Sequence, residues 1–148
     1  MSCIRFNTPA QRAQLRAAAP TMLRPEELAA RHPAPPVTES KIRRLRVLAE
    51  HENPKIRESV ASSYHLPDDL ALRLARDPDP GVRAVLARNE TVSCELLREL
   101  AHDDAEAVRG WVAVNYFVPA EVMTELASDE SATVRSLVAW KASLATVP

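Results

Sequence analysis

From residue 48 onward, apolar side chains fall in short clusters spaced three and four apart, separated by polar stops. That is the period of amphipathic helices and not the strict alternation of half-buried strands. Val108, Val112 and Ala113, for instance, share one side of a helical wheel. Each cluster opens with a start signal. Asn53-Pro54, Asp79-Pro80, Ala105-Glu106 and Ser131-Ala132 open one set. An Asn, Asp or Ser cap accepts from unpartnered backbone N–H groups, and proline at the first helical position gives up a donor that had no partner there. Pro67, Ser93 and Pro119 open a second set, with Asp68-Asp69, Glu95 and Glu121 in the first turn, where the helix dipole favours acidic charge. The pattern predicts helix, turn, helix, over and over, in an all-α chain.

The order is periodic. Leu-Ala recurs at 48–49, 74–75, 100–101 and 126–127, and a β-branched residue followed by Arg recurs at 56–57, 82–83, 108–109 and 134–135. Every interval is 26 residues, and Ala61, Ala87, Ala113 and Ala139 keep the same register. The units are 48–73, 74–99, 100–125 and a truncated 126–148. Helices of two to three turns are too short to stand alone in water and gain their stability by stacking on neighbouring units. The expected architecture over 39–148 is therefore an α-solenoid.

The second unit carries a resemblance. Leu74-Ala75-Arg76-Asp77-Pro78-Asp79-Pro80-Gly81-Val82-Arg83-Ala84-Val85-Leu86-Ala87-Arg88-Asn89, followed by Leu96-Leu97-Arg98, resembles the leucine-rich repeat variant family and, more distantly, HEAT-like repeats. The likeness covers about residues 48–142. It implies a right-handed superhelix of α-helices alternating with shorter second helices, some of them 3₁₀. The founding type of that family carries an iron–sulfur cluster on cysteines ahead of its repeats. Here Cys3 is the only cysteine in the first 93 residues, so neither that domain nor electron transfer is expected. Cys94 reads as a small buried hydrophobe.

The recurrent Arg57, Arg83, Arg109 and Arg135 could in principle form a row of phosphate ligands. On a wheel, however, the apolar face around Val108, Val112 and Ala113 centres close to Arg109. Inward guanidinium groups need acceptors, and Asp77, Asp103 and Asp129 each precede an arginine by six residues. The expectation is a ladder of Asp–Arg and carbonyl contacts stitching unit to unit. His51 stands where the first unit lacks its Asp, so Arg57 is expected to be held more loosely, or by Glu50 or Asn53.

Charge sharpens this picture. The net charge of −1 over 148 residues hides +6 on residues 1–47 and −7 on residues 48–148. The densest basic stretch is Lys41-Ile42-Arg43-Arg44-Leu45-Arg46; Ile42, Leu45, Val47 and Leu48 trace an inward stripe, and Lys41, Arg43 and Arg44 point outward. With Arg46, these cations form either a solvated face or a contact for phosphate or an acidic protein. Residues 1–38 read as a basic helical head, with helices from Thr8-Pro9 to about Ala18 and from Arg24-Pro25 to about Arg31, then a Pro-rich linker from His32 to Pro36. That head either caps the first unit or moves as an arm.

Candidate chemistry is sparse. His32, His51, His65 and His102 fall at different repeat positions without metal-ligand spacing, and two glycines leave no phosphate-cradling loop. No cofactor, metal or catalytic set is expected. The longest uncharged apolar run, Gly110 to Pro119, is half a membrane span, and Met1 to Leu15 lacks the apolar core of a secretory signal, so the expected residence is cytoplasmic. Trp111, Phe117 and Trp140 concentrate aromatic surface in the last two units. They are either partner anchors, including those of an end-to-end homodimer, or, at Trp140, a ring covered by the C-terminal tail. The sequence thus points to a non-enzymatic protein–protein interaction module whose curved, acidic surface meets a basic segment of another protein. The alternative is a nucleic-acid-associated adaptor that binds through the basic N-terminal segment.

Overall fold

The computed structural model describes residues 37–144. Among them are eight α-helices and no strand: α1 (Glu39–Leu48), α2 (Pro54–Ala61), α3 (Asp68–Leu74), α4 (Pro80–Arg88), α5 (Cys94–Leu100), α6 (Glu106–Val114), α7 (Ala120–Leu126) and α8 (Ala132–Leu144). The expectations for the N-terminal head and for the tail over Trp140 lie outside these residues.

Local chemistry explains where each helix begins. Asn53 Oδ1 accepts from the Lys55 N–H at 2.9 Å, and Asp79 Oδ1 accepts from Gly81 at 2.8 Å and Val82 at 3.2 Å. Ser131 Oγ does the same for Thr133 at 3.1 Å. These are N-caps, and Pro54 and Pro80 occupy the first position, where no N–H is needed. α6 starts at Ala105, which has no capping side chain. There Asp103 Oδ1 takes the Ala105 N–H at 2.8 Å and holds the entering turn.

The short second helices are α-helical, which corrects the 3₁₀ expectation. Their first turns close from residue i to i−4: Ala71 to Pro67 at 2.9 Å, Leu97 to Ser93 at 3.1 Å and Met123 to Pro119 at 3.2 Å. Leu70, Leu96 and Val122 all insert into the core from this turn, and burying them favours the wider α geometry.

Packing follows two rules. α2, α4, α6 and α8 lie against one another in sequence, and α3, α5 and α7 each touch the first-set helix before and after them. One continuous core runs between the sets, from Leu45 to Val138, with Leu74, Leu100 and Leu126 nearly inaccessible. Ala61, Ala87 and Ala113 are fully buried where the next first-set helix crosses. Ala139 keeps their register but is exposed, because no described helix follows α8. Val47 is also exposed, at 71%, on the side of α1 away from Leu45. Cys94, at the start of α5, is exposed too; its thiol faces the Phe117 carbonyl at 3.6 Å while Leu96 and Leu97 take the buried side.

A second internal device is an asparagine at the end of a first-set helix. Asn89 Nδ2 donates to the carbonyls of Ala61 (2.7 Å) and Ser63 (3.0 Å); Asn115 Nδ2 donates to those of Ala87 (2.7 Å) and Asn89 (3.2 Å). Each amide satisfies carbonyls at the C-terminal end of the preceding helix, which have no partner within that helix. Lys141 follows in register and donates to the Asn115 carbonyl; burial holds its ammonium below the ordinary lysine range.

Asn115 is almost inaccessible and also accepts from the Phe117 N–H at 2.9 Å. Asn115→Ala is therefore expected to destabilise the protein by about 2–3 kcal/mol, as buried groups lose their partners. Urea denaturation checks this, with a shift in midpoint at unchanged slope.

Candidate functional site

The arginines and aspartates form a ladder, with a contact geometry that spans units. Arg57 meets Asp77 through Nε (2.6 Å) and Nη2 (2.8 Å), Arg83 meets Asp103 (2.6 and 2.9 Å) and Arg109 meets Asp129 (2.8 and 3.1 Å). Each pair is bidentate and 20 residues apart. The six-residue spacing is used differently: the arginine Nη1 donates to a backbone carbonyl of its own entering turn, as Arg83 does to Asp77 at 2.7 Å and Arg109 to Asp103 at 2.8 Å.

Arg57 is not looser than the others. It takes the His51 and Glu52 carbonyls at 2.8 and 3.0 Å and pairs forward with Asp77, so the absence of an Asp at position 51 leaves its carboxylate contact intact. Arg135 keeps the anchor, on the Asp129 and Glu130 carbonyls, but has no carboxylate partner among the described residues.

Electrostatics reflect this geometry. Burial pushes the Asp77 carboxyl up, but hydrogen bonds from Arg57 and the Asp79 N–H outweigh it and leave the group below its ordinary value. Asp103 is balanced in the same way, by Arg83 and the Ala105 N–H. For Asp129 the Arg109 hydrogen bond is the largest influence and burial only opposes it, so the result is again low. With their second edges engaged by carboxylates, Arg57, Arg83 and Arg109 are occupied in structure and present no row of free cations to phosphate.

A second set of side-chain contacts lies on the outside, all Arg–carboxylate ion pairs except His102–Glu125, which pairs an imidazole with a carboxylate. Arg46–Asp69 (3.1 Å), Glu50–Arg73 (2.6 Å), Arg76–Glu99 (3.4 Å), Arg98–Glu121 (2.6 Å) and His102–Glu125 (3.3 Å) are all 23 residues apart. They link α1, α3, α5 and α7 or the turns that follow them. All are well exposed, and such pairs contribute only about 0–1 kcal/mol each. Of the basic residues on α1, Arg46 is tied to Asp69, whereas Lys41, Arg43 and Arg44 are exposed with no ion-pair partner among the described residues.

Among the described residues, an apolar cleft of about 690 Å³ lies between α6 and α8. Its walls are Ala107, Gly110, Trp111 and Val114 on one side and Leu137 and Trp140 on the other, with Glu106 and Thr133 where the two helices start. Gly110 shapes the floor: a β-carbon there would stand 3.2 Å from Leu137 Cδ1. Trp111 and Trp140 are 40% and 52% exposed, and the Arg88 guanidinium stacks 5.3 Å from the Trp111 ring centre. Phe117 is exposed but elsewhere, in the turn after α6, edge-on to Tyr116. Two of the three expected aromatics therefore share one site. Among the described residues no group of His, Cys, Asp and Glu could hold a metal ion, and no helix is long and apolar enough to cross a membrane.

Comparison with protein-family models, with curated proteins and with solved structures returns no match.

Two outcomes follow for the ladder. Arg109→Ala strands the nearly inaccessible Asp129 carboxylate, so a loss of about 3–5 kcal/mol and a melting temperature lower by many degrees are expected. Arg98→Ala, on the exposed set, is expected to change stability by less than about 1 kcal/mol. Because the folded Asp77, Asp103 and Asp129 carboxyls titrate below their unfolded values, their contribution is complete above about pH 5 and is lost as pH falls through the folded values. Denaturation measured from pH 6 down to pH 2 is expected to show that decline, with a shallower decline in Asp103→Asn.

Proposed function

We propose that this chain is a non-enzymatic protein-binding module, a right-handed α-solenoid of 26-residue units akin to leucine-rich repeat variant and HEAT-like repeats, that works in the cytoplasm. The cleft between α6 and α8 carries this reading. Exposed tryptophans flanking an apolar floor are the composition of an interface anchor, and a soluble surface has little other reason to hold them open. Residues 48–148 carry −7, so the partner is a basic segment that places an apolar side chain between Trp111 and Trp140 and a cation near Glu106. The ladder keeps both walls rigid, which lowers the entropic cost of binding.

One observation favours a second reading. Lys41, Arg43 and Arg44 project from α1 without carboxylate partners among the described residues, the electrostatic requirement for phosphate contact in a nucleic-acid-associated adaptor. They spread around more than a third of the helix and do not converge on one groove, so the cleft remains the preferred site.

Affinity capture with the wild type and with Trp111→Ala/Trp140→Ala separates the two. The double variant is expected to stay folded and to lose the wild-type partner; retention of the same partner rejects the cleft. A salt-dependent mobility shift abolished by Lys41→Ala/Arg43→Ala/Arg44→Ala would instead favour the adaptor. Sedimentation of the wild type beside Trp140→Ala tests end-to-end self-association, which a monomer in both cases removes.

A further inference from the structure

Each first-set helix is entered through a turn in which one side chain accepts the N–H two residues on. Asp77 Oδ1 takes the Asp79 N–H at 2.9 Å, Asp103 Oδ1 that of Ala105 at 2.8 Å and Asp129 Oδ1 that of Ser131 at 2.7 Å. In the first unit an imidazole fills the same role: His51 Nδ1 accepts from the Asn53 N–H at 3.0 Å. The substitution keeps the turn and changes what a proton does to it.

An imidazole nitrogen accepts only while it carries no proton, and imidazole is the side chain that ordinarily changes charge between pH 5 and 8. The three aspartates are held below the ordinary carboxylate range and remain acceptors throughout that interval. One turn of the four therefore answers to pH near neutrality.

We infer that His51 is a pH-sensitive catch built into the turn that enters α2. Neutral, it closes the turn through Nδ1; protonated, it presents a donor to the Asn53 N–H and the turn opens. The effect reaches Arg57, whose Nη1 is oriented by the His51 and Glu52 carbonyls of this same turn while its other edge takes Asp77. Acid thus loosens the first rung of the ladder and leaves the second and third in place.

The charges around the ring do not hold the turn shut. Sharing its groove are Glu50 after α1, Glu52 in the turn, Arg57 on α2, Arg73 on α3, and Arg76 and Asp77 in the turn after α3. Arg57 is paired with Asp77, Arg73 with Glu50 and Arg76 with Glu99, and on α2 Lys55 is paired with Glu58. That leaves Glu52, exposed and without an ion-pair partner among the described residues, and its charge favours the protonated ring. The helix dipoles oppose each other here, since His51 follows the C-terminal end of α1 and precedes the N-terminal end of α2.

Nitrogen-15 NMR of the full-length protein between pH 8 and pH 5 tests the catch. At pH 8 the ring is expected as the Nε2–H tautomer, with Nδ1 in its acceptor form. On acidification the Asn53 amide and Arg57 Nε–H signals are expected to shift with the midpoint of the His51 ring, while those of Arg83 and Arg109 stay in place. Protection of the Asn53 amide from exchange is expected to fall about threefold to tenfold, the loss of one hydrogen bond. His51→Asp supplies a carboxylate acceptor and is expected to keep that protection over the whole range. His32→Gln/His65→Gln/His102→Gln is expected to titrate at Asn53 as the wild type does. An Nδ1–H tautomer at pH 8, an Asn53 amide that does not follow the His51 ring, or the same loss of protection in His51→Asp overturns the inference.

Discussion

Each rung of the ladder joins two tasks in one carboxylate. Asp103 holds the turn that starts α6 by accepting the Ala105 N–H, and it receives two N–H groups of Arg83 from the preceding unit. Arg83 is in turn oriented by the Asp77 carbonyl. The helices are seven to thirteen residues long, most of them below the length that persists alone in water. A turn that forms only when the neighbour's arginine is present makes helix formation and docking a single event. The charges are nearly removed from solvent, so their attraction first has to offset desolvation. What the rung supplies above raw stability is register: an apolar core would tolerate a helix sliding along its neighbour, whereas a bidentate pair fits at one offset.

That offset sorts the rest of the surface. Along the inner edge the charges are used up in pairs 20 residues apart; along the second helices they are balanced in pairs 23 residues apart. The opposite side of the first-set helices is mainly apolar, and there Gly110 lets α6 and α8 close together while Trp111 and Trp140 stand open. Asparagine amides complete the framework, since Asn89 and the buried Asn115 each satisfy a helix end in the unit before. Binding surfaces and supporting contacts thus occupy different sides of the same helices.

Much of this was legible in the residues. The all-helical class and the helix starts at Asn53, Asp79, Ser93 and Ser131 follow from capping chemistry, which acts within four residues. The identity of the ladder residues was legible too, but not their pairing. An Asp six residues before an Arg is also an Asp 20 residues after the previous Arg, and only the stacking of units chooses between carbonyl and carboxylate contact. That ambiguity is why Arg57 read as loosely held when it is fully paired. The asparagine contacts carried a faint signal, the 26-residue spacing of Asn89 and Asn115, obscured by Ser63 and Lys141 at the flanking positions. The exposed pairs carried almost none, because Glu50–Arg73 and Arg76–Glu99 exchange signs between successive units. Residue type alone misplaced Val47 and Cys94, whose exposure is set by where they fall on their helices.

The sharing of each aspartate between a turn and a neighbour also gives the molecule a direction. Arg57, Arg83 and Arg109 all reach forward, and none reaches back. A unit therefore gives up its own acceptor to the unit before it and borrows the next acceptor from the unit after it. Loosening at α8 removes the carboxylate of Arg109 but leaves the Asp103 turn with Arg83 and the Ala105 N–H, whereas loosening at α2 takes Arg57 from Asp77 and leaves that turn its own backbone contact. Among the described residues each junction is thus held by the aspartate of the unit after it, so loss of Asp129 is felt first at Arg109 on α6.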